Sequence, residues 1–475
     1  MKKAPIYGII NIGNKPKRKV LNYMIYQNSD FVNSENKFFK TFKDLKISSL
    51  LRKANINKNQ GFSAFEIFKF LFFLVFQGKS LFRFLNSKHK DEAVSKNTYY
   101  RFLSETSYNW EKFLLLLSAK VISFFDSLTT STRVKVLILD DSVVSRNRSK
   151  KVELLAKIYD HSIGKYVRGF NMLTLGWSDG FSFIPVAFNM LSSAKSQNRY
   201  TDLTDKIDKR SIAYKRRKSA LLQKPQAVME LITKALDFGI TADYVLMDTW
   251  FTNEPLIKNI TDTGLDVIGM VKQLRQHYIY EGEEYTLNQL YRRFCRNKNN
   301  EIQGSICVKT KNHGINVKIV FIRNKNNKKE WLSILSTDLS ISDEEIVRIY
   351  GMRWSIETFF KASKSLFKLG SEFQGRTYDM TVSHTTIVFA RYILLEWIRR
   401  NDNDYKTIGG LFYMFCDDVQ DITYETAIMS LMSLFINTLT IGDINVDNLK
   451  CQVMNWLASQ VPCIRNLFAD FSWES

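Results

Sequence analysis

Tyr350-Gly-Met-Arg-Trp-Ser-Ile-Glu-Thr-Phe-Phe-Lys-Ala-Ser-Lys364 follows Ser342-Asp-Glu-Glu345, where a Ser with Glu three residues on is a capping-box pattern. Only Gly351 interrupts what comes after, so the spacing predicts a helix. At about 100° per residue, Tyr350, Arg353, Glu357, Lys361 and Lys364 fall within roughly 80° of one another. Ile349, Met352, Ile356, Phe359 and Phe360 cluster on an adjacent face. One side packs, and the other presents a carboxylate between cations and a phenol. A solvated i,i+4 Arg–Glu pair would account for a charge stripe of this size. The spacing Tyr-x2-Arg-x3-Glu-x6-Lys is far more restrictive.

That spacing resembles the Tyr-Arg-Glu-Lys signature of bacterial insertion-sequence transposases of the cut-and-paste, DDE branch, whose catalytic domain is RNase H-like. The resemblance implies that Glu357 is the third catalytic carboxylate and that Tyr350, Arg353 and Lys364 hold phosphates of the transposon end. Lys361 joins them because geometry puts it on the same face. Two earlier aspartates at strand ends are then required.

The first requirement leads to Val134-Lys-Val-Leu-Ile-Leu139, a β-branched apolar run that ends in Asp140-Asp141-Ser142. Carboxylates at the carboxyl end of a buried strand sit where α/β sheets place ligands, although two adjacent acids also suit a turn or a helix cap. Strand neighbours point to opposite faces, so alternation does not select between them. The resemblance does: the family's acid is followed by Ser or Thr, which selects Asp141. Tyr244-Val-Leu-Met-Asp248-Thr-Trp-Phe251 repeats the pattern, 107 residues after Asp141 and 109 before Glu357. Its Asp-x-Trp-Phe form is similar to one branch of these transposases, with Trp250 and Phe251 read as packing residues.

Composition agrees with a nucleic-acid partner. The 475 residues carry 68 Lys+Arg against 47 Asp+Glu, a net charge of +21, and an excess this large favours a polyanion. The longest apolar run, Phe70–Phe76, falls well short of the roughly 18 residues of a membrane span, so no membrane partner is expected. The N-terminus lacks an apolar secretory core, and Cys295, Cys307, Cys416, Cys451 and Cys463 show no C-x-x-C pairing. A reducing cytosol is expected, and for a bacterial DNA enzyme association with the nucleoid.

Residues 1–40 form a polar basic stretch whose densest run, Lys15-Pro-Lys-Arg-Lys19, is either a solvated tail or a DNA-contacting arm. From about Phe62 to Asp126 apolar residues recur at helical spacing. Within it Ser95-Lys-Asn-Thr-Tyr-Tyr-Arg-Phe-Leu103 begins a basic, aromatic helix that suits either packing or contact with transposon ends. Phe170–Trp177 and Phe181–Phe188, separated by Ser178-Asp-Gly180, read as a hairpin. Lys206-Ile-Asp-Lys-Arg210 and Lys215, Arg216, Arg217 and Lys218 form a basic stripe, either solvated or in contact with a phosphate backbone.

A helix over roughly Pro225–Phe238 and a strand Val267–Val271 complete five sheet strands. About 70 residues rich in β-formers follow, with strands at Ile302–Val308, Ile315–Ile322 and Trp331–Leu335. This resembles the family's inserted domain, in which a Trp placed like Trp331 stacks on a flipped base; a Trp packed in the sheet is the other reading. A long apolar helix runs from His384 to about Arg399. A lone His at a helix start is more often structural than a ligand. The tail beyond residue 400 is helical and apolar, clearest at Ala427–Leu439, and Asp417-Asp418 has no strand before it.

The expected architecture is α/β: an RNase H-like mixed sheet flanked by helices, interrupted by a β-rich insertion, with helical terminal regions. Its parts are a basic, helical N-terminal region (1–130), the catalytic domain in two pieces (131–271 and 342–400), the insertion (272–341) and a helical tail (401–475). The resemblance further implies a homodimer in a synaptic complex on double-stranded DNA. Asp141, Asp248 and Glu357 would hold two Mg2+ ions, for which Mn2+ may substitute.

Overall fold

Val136-Leu-Ile-Leu139 is fully buried and begins the central strand, β1 (Val136–Ser145). The computed structural model describes residues 37–417 except 88–93, 131, 205–206, 274–275, 296–299, 325–326, 328–329, 374 and 402–405, together with 451–452 and 455–456. The basic run at 15–19 and the apolar tail at 427–439 lie outside the described residues, as does Asp418. The chain divides into two compact units, Asn28–Phe412 and Met1–Gln27 with Tyr413–Ser475. The sheet and the candidate site lie in the first.

β1 pairs antiparallel with β3 (Lys165–Ser178), and β3 in turn carries β2 (Ala156–Asp160) and β4 (Phe183–Leu191) as antiparallel partners. On its other side β1 pairs in parallel with β5 (Tyr244–Met247), and β5 with β6 (Asp266–Val271). The order β4-β3-β1-β5-β6, with one antiparallel and one parallel flank, is the RNase H-like mixed sheet expected from the sequence. The turn at Ser178–Ser182 is present as read: Asp179 accepts the Phe181 and Ser182 N–H groups, and Gly180 takes a φ of +83°.

Two departures matter for the site. β1 does not end at Leu139 but runs through both aspartates to Ser145, because β3 stays paired with it as far as Gly169. Its parallel neighbour β5 stops at Met247, opposite Leu139. Asp140 is therefore the first β1 residue beyond that neighbour. The inserted strands, moreover, continue the same sheet. β6 pairs antiparallel with β11 (Trp331–Ser336), followed by β10 (Asn316–Arg323), β9 (Ile302–Thr310), β7 (His277–Tyr280) and β8 (Glu283–Thr286).

Nine helices precede the insertion among the described residues: α1 (Lys37–Asp44), α2 (Ile47–Lys53), α3 (Ala64–Phe73), α4 (Leu81–Leu85), α5 (Lys96–Ser104), α6 (Trp110–Ser127), α7 (Ile212–Ala220), α8 (Lys224–Asp237) and α9 (Glu254–Thr261). α10 (Leu287–Phe294) lies within it, and α11 (Asp343–Gly351), α12 (Trp354–Ser365) and α13 (Tyr378–Asn401) follow. α13 is buried from Tyr378 to Ile398, packed against α5, α6 and β4, as a helix enclosed on all sides must be. Arg391 on α13 donates to the Leu71 and Phe72 carbonyls of α3's last turn and to Glu372, joining the N-terminal helices to the core of the sheet. In α5, Tyr99, Phe102 and Leu103 are buried, so packing is the role this helix displays.

α13 also carries Glu396, 2% exposed, which accepts from the Tyr392 hydroxyl at 3.1 Å and lies 2.7 Å from Arg399. Burial pushes its carboxyl up to about 7, against Arg399. A carboxyl raised in the fold stays protonated while the unfolded chain ionises, so stability falls as pH rises from about 4.5 to 7. The shift corresponds to a loss on the order of 3 kcal/mol. Glu396→Gln should flatten this segment of the pH–stability curve; denaturant melts at pH 5 and pH 8 that keep the wild-type slope would refute it.

Candidate active site

The capped helix expected over Tyr350–Lys364 is two helices. Ser342 caps α11 by accepting the Glu345 N–H at 3.2 Å, and α12 starts at Trp354 after a tight corner at Met352–Arg353. At that corner Met352 and Arg353 N–H groups bond to Ile349 and Tyr350, three residues back, in the tighter pattern of a 3₁₀ turn. Arg353 is thereby placed at the start of α12, facing the middle of β1 at Asp140.

Its guanidinium joins two carboxylates. Arg353 lies 3.0 Å from Asp140 and makes a short ion pair with Glu357, and both its own side chain and that of Asp140 are largely enclosed. Asp248 stands close enough to act on Asp140. Burial pushes the Asp140 carboxyl up to about 7, with Asp248 and Asp141 adding to the rise and Arg353 opposing it. Tyr350 completes the group: its phenol is pushed up to about 12 by burial, with Asp248 and Asp140 contributing, so it stays protonated. Asp248 is fixed by its own turn, accepting the Trp250 N–H at 2.8 Å and the Phe251 N–H at 3.2 Å. Lys364, in the last turn of α12, donates to the Ser142 hydroxyl at 2.7 Å on the same side of β1 as Asp140.

Asp141 does not join this group. Its carboxylate points to the other side of β1, where Lys224 at the start of α8 holds it at 2.9 Å. Of the neighbouring pair it is Asp140, and not the Asp141 that the resemblance selects, that meets Arg353 and lies within electrostatic reach of Asp248. The reason is the two-residue period of the strand. Lys224 also stands 4.4 Å above the Trp250 ring, which is 44% exposed, whereas Phe251 is buried; Trp250 was expected to pack.

Other expected contacts separate from the site. Lys361 is exposed and lines a groove with Trp354, Thr358 and Phe181. Trp331 stacks on Tyr291 at 4.3 Å with 10° between the planes and meets Phe321 edge-on, so it is a sheet-packing residue in this arrangement. Of the four cations at 215–218, Lys215 and Lys218 are exposed, as are Lys209 and Arg210 earlier in the stripe. Arg217 is 1% exposed and bonded to Glu153 and Asp379, while Arg216 pairs with Asp379 and donates to the Tyr108 carbonyl. In this fold the guanidinium groups of Arg216 and Arg217 are taken up by ion pairs within the protein. His384 is buried and accepts the Gly370 N–H at 3.0 Å, the structural role.

Among the described residues no three His, Cys, Asp or Glu side chains converge closely enough to enclose a metal ion. Asp140 and Asp248 approach each other, and Arg353 stands between Asp140 and Glu357.

No curated protein matches the chain. The solved structures include the piggyBac transposase synaptic complex with hairpin DNA, 14% identical, with 89% of this chain and 85% of that one covered at a TM-score of 0.43. Residues 72–286 match the family model described as DDE superfamily endonuclease, and residues 204–382 match that of archaeal putative transposase ISC1217. It is to DDE-superfamily endonuclease and transposase domains that this stretch of the chain is similar.

Proposed function

We propose that the protein is a DNA transposase that binds terminal inverted repeats, cleaves DNA and joins the excised element to a target. It would work as a homodimer on double-stranded DNA in the bacterial cytoplasm. The observation that carries this reading is the grouping of Asp140, Asp248, Arg353, Glu357 and Tyr350 beyond the carboxyl end of β5, where β1 continues without its parallel neighbour. The Tyr350 phenol is buried and held protonated, which makes it a poor nucleophile, so this reading takes water or a DNA 3′-hydroxyl as the attacking oxygen.

The donor set fits a hard divalent cation. All the candidate ligand atoms are carboxylate oxygens, which suit Mg2+ or Mn2+. The Asp140 carboxyl is raised chiefly by burial, with Asp248 and Asp141 each adding less than Arg353 takes away. Asp140 and Asp248 would hold the metal, with Glu357 as third ligand and Asp141 held off by Lys224. When bound, a pair of such ions activates the attacking oxygen and stabilises the leaving oxygen of a phosphodiester. The chain's own contribution is positioning. Arg353 and Lys364 neutralise phosphate oxygens, and the protonated Tyr350 donates a hydrogen bond to one.

Incubating purified protein with a duplex carrying candidate end repeats and a target plasmid tests the reading. Mg2+ should yield both cut ends and joined products, and chelation should abolish both. Cutting without joining would reduce the function to that of a DDE-type nuclease, and DNA binding without cutting would leave only a DNA-binding descendant.

A further inference from the structure

We infer that the exposed face of the β2–β3 hairpin is a docking surface for the phosphate backbone of double-stranded DNA. The inference rests on the reading of the protein as a DNA-cleaving enzyme and adds where the duplex runs as it leaves the carboxylates.

The register of this hairpin pairs Lys157 with Arg168 and Tyr159 with Tyr166. Residues two apart share a face, so two cations and two phenols stand together on one side. Tyr159 is 40% and Tyr166 64% exposed. Like charges directly opposed across an antiparallel pair are unfavourable, and a merely solvated hairpin has no reason to place them so. The other face follows the ordinary rule: there Asp160 is opposite Lys165, an acid against a base. Among the described residues neither Lys157 nor Arg168 forms an ion pair with a carboxylate. Each is held over an aromatic ring, Lys157 4.6 Å from the Tyr166 centroid and Arg168 4.6 Å from that of Tyr200, itself 47% exposed. Two adjacent cations fixed by rings and left without counter-charge, beside exposed phenol hydroxyls, are what a phosphate chain requires.

Position supports the same partner. β3 runs antiparallel to β1, with Thr174 opposite Asp140, so the hairpin lies beyond the carboxyl end of β1, past the carboxylates. Arg168 and Tyr166 are six and eight residues along β3 from Thr174. At about 3.4 Å per residue this is roughly 20–27 Å, or about six to eight base pairs of B-DNA. On the hairpin's opposite face Asp160 acts electrostatically on Lys364, so this element adjoins the candidate phosphate contacts of α12.

The test is the salt dependence of binding of the full chain to a labelled 30-base-pair duplex of arbitrary sequence, followed by fluorescence anisotropy. Each phosphate contact contributes about 0.9 to the slope of log K against log salt, so Lys157→Gln/Arg168→Gln should lower the slope by nearly 2 and weaken binding tens-fold at 0.1 M salt. The charge-conserving pair Lys157→Arg/Arg168→Lys should keep the slope, which a packing role would not ensure. If the double variant melts early, the single variants should each lose about 0.9. An unchanged slope in variants that melt like wild type overturns the inference while leaving the enzyme reading intact. A wild-type chain with no salt-dependent affinity overturns the DNA reading itself.

Discussion

Asp140→Asn is expected to lower strand cleavage by about 10³-fold or more, and Asp141→Asn by less than about 100-fold. Removing a charged oxygen that holds a catalytic ion forfeits several kcal/mol of transition-state stabilisation, at about 1.4 kcal/mol per decade of rate. Asp140 is the acid placed to make that contribution, since it meets Arg353 at 3.0 Å and feels Asp248. Asp141 is tied to Lys224 at 2.9 Å on the other face, where its loss frees one lysine and disturbs the support under Trp250. Asp248→Asn belongs with Asp140→Asn: cleavage should vanish while duplex binding stays largely intact. Single-turnover cleavage and anisotropy on the same preparations separate the two effects. The reverse ranking, with Asp141→Asn inactive and Asp140→Asn active, would return the metal-holding role to Asp141 and require β1 to turn over in the DNA complex.

This ranking also marks how far the sequence could be read. Asp248, Arg353 and Glu357 stand out in the sequence because each sits in a local pattern, an apolar strand running into an acid or an i,i+4 Arg–Glu pair. The choice between Asp140 and Asp141 was not, because one residue of strand register exchanges the faces and only the surrounding helices reveal which face holds the site. The sequence likewise left two readings of Trp331 open and did not show the exposure of Trp250. The partner of Trp331 is Tyr291, on a helix within the insertion that β-rich composition concealed, whereas the exposure of Trp250 follows from the turn that Asp248 builds. The β2–β3 hairpin escaped notice because its loop, Asp160-His-Ser-Ile-Gly164, lacks the Asp-Gly or Asn-Gly pair that announces a tight turn. The sheet order followed from its strands, yet nothing local showed that the insertion would extend the same sheet through β11.

Arg217→Ala is expected to destabilise the fold by about 3–5 kcal/mol and to lower the melting temperature by about 10 °C. In the sequence this residue belongs to a basic stripe read as either solvated or in contact with DNA; the fold places it in the interior, 1% exposed, with its guanidinium bonded to both Glu153 oxygens at 2.7 Å and to Asp379 at 2.6 Å. Those partners are 64 and 162 residues away, which is why the stripe looked solvated or ready for phosphate. Truncation leaves two buried carboxylates with one charge too few, since Arg216 still serves Asp379 but nothing replaces the fork on Glu153. Arg217→Lys should recover little, because an ammonium cannot make the paired contacts of the guanidinium. Lys215→Gln and Lys218→Gln, on the exposed side of the same helix, should leave the melting temperature within about 1 °C. Thermal melts of the four variants decide the matter: an Arg217→Ala protein that melts like wild type yet loses affinity for a duplex would make this arginine a phosphate contact and the buried ion network a misreading.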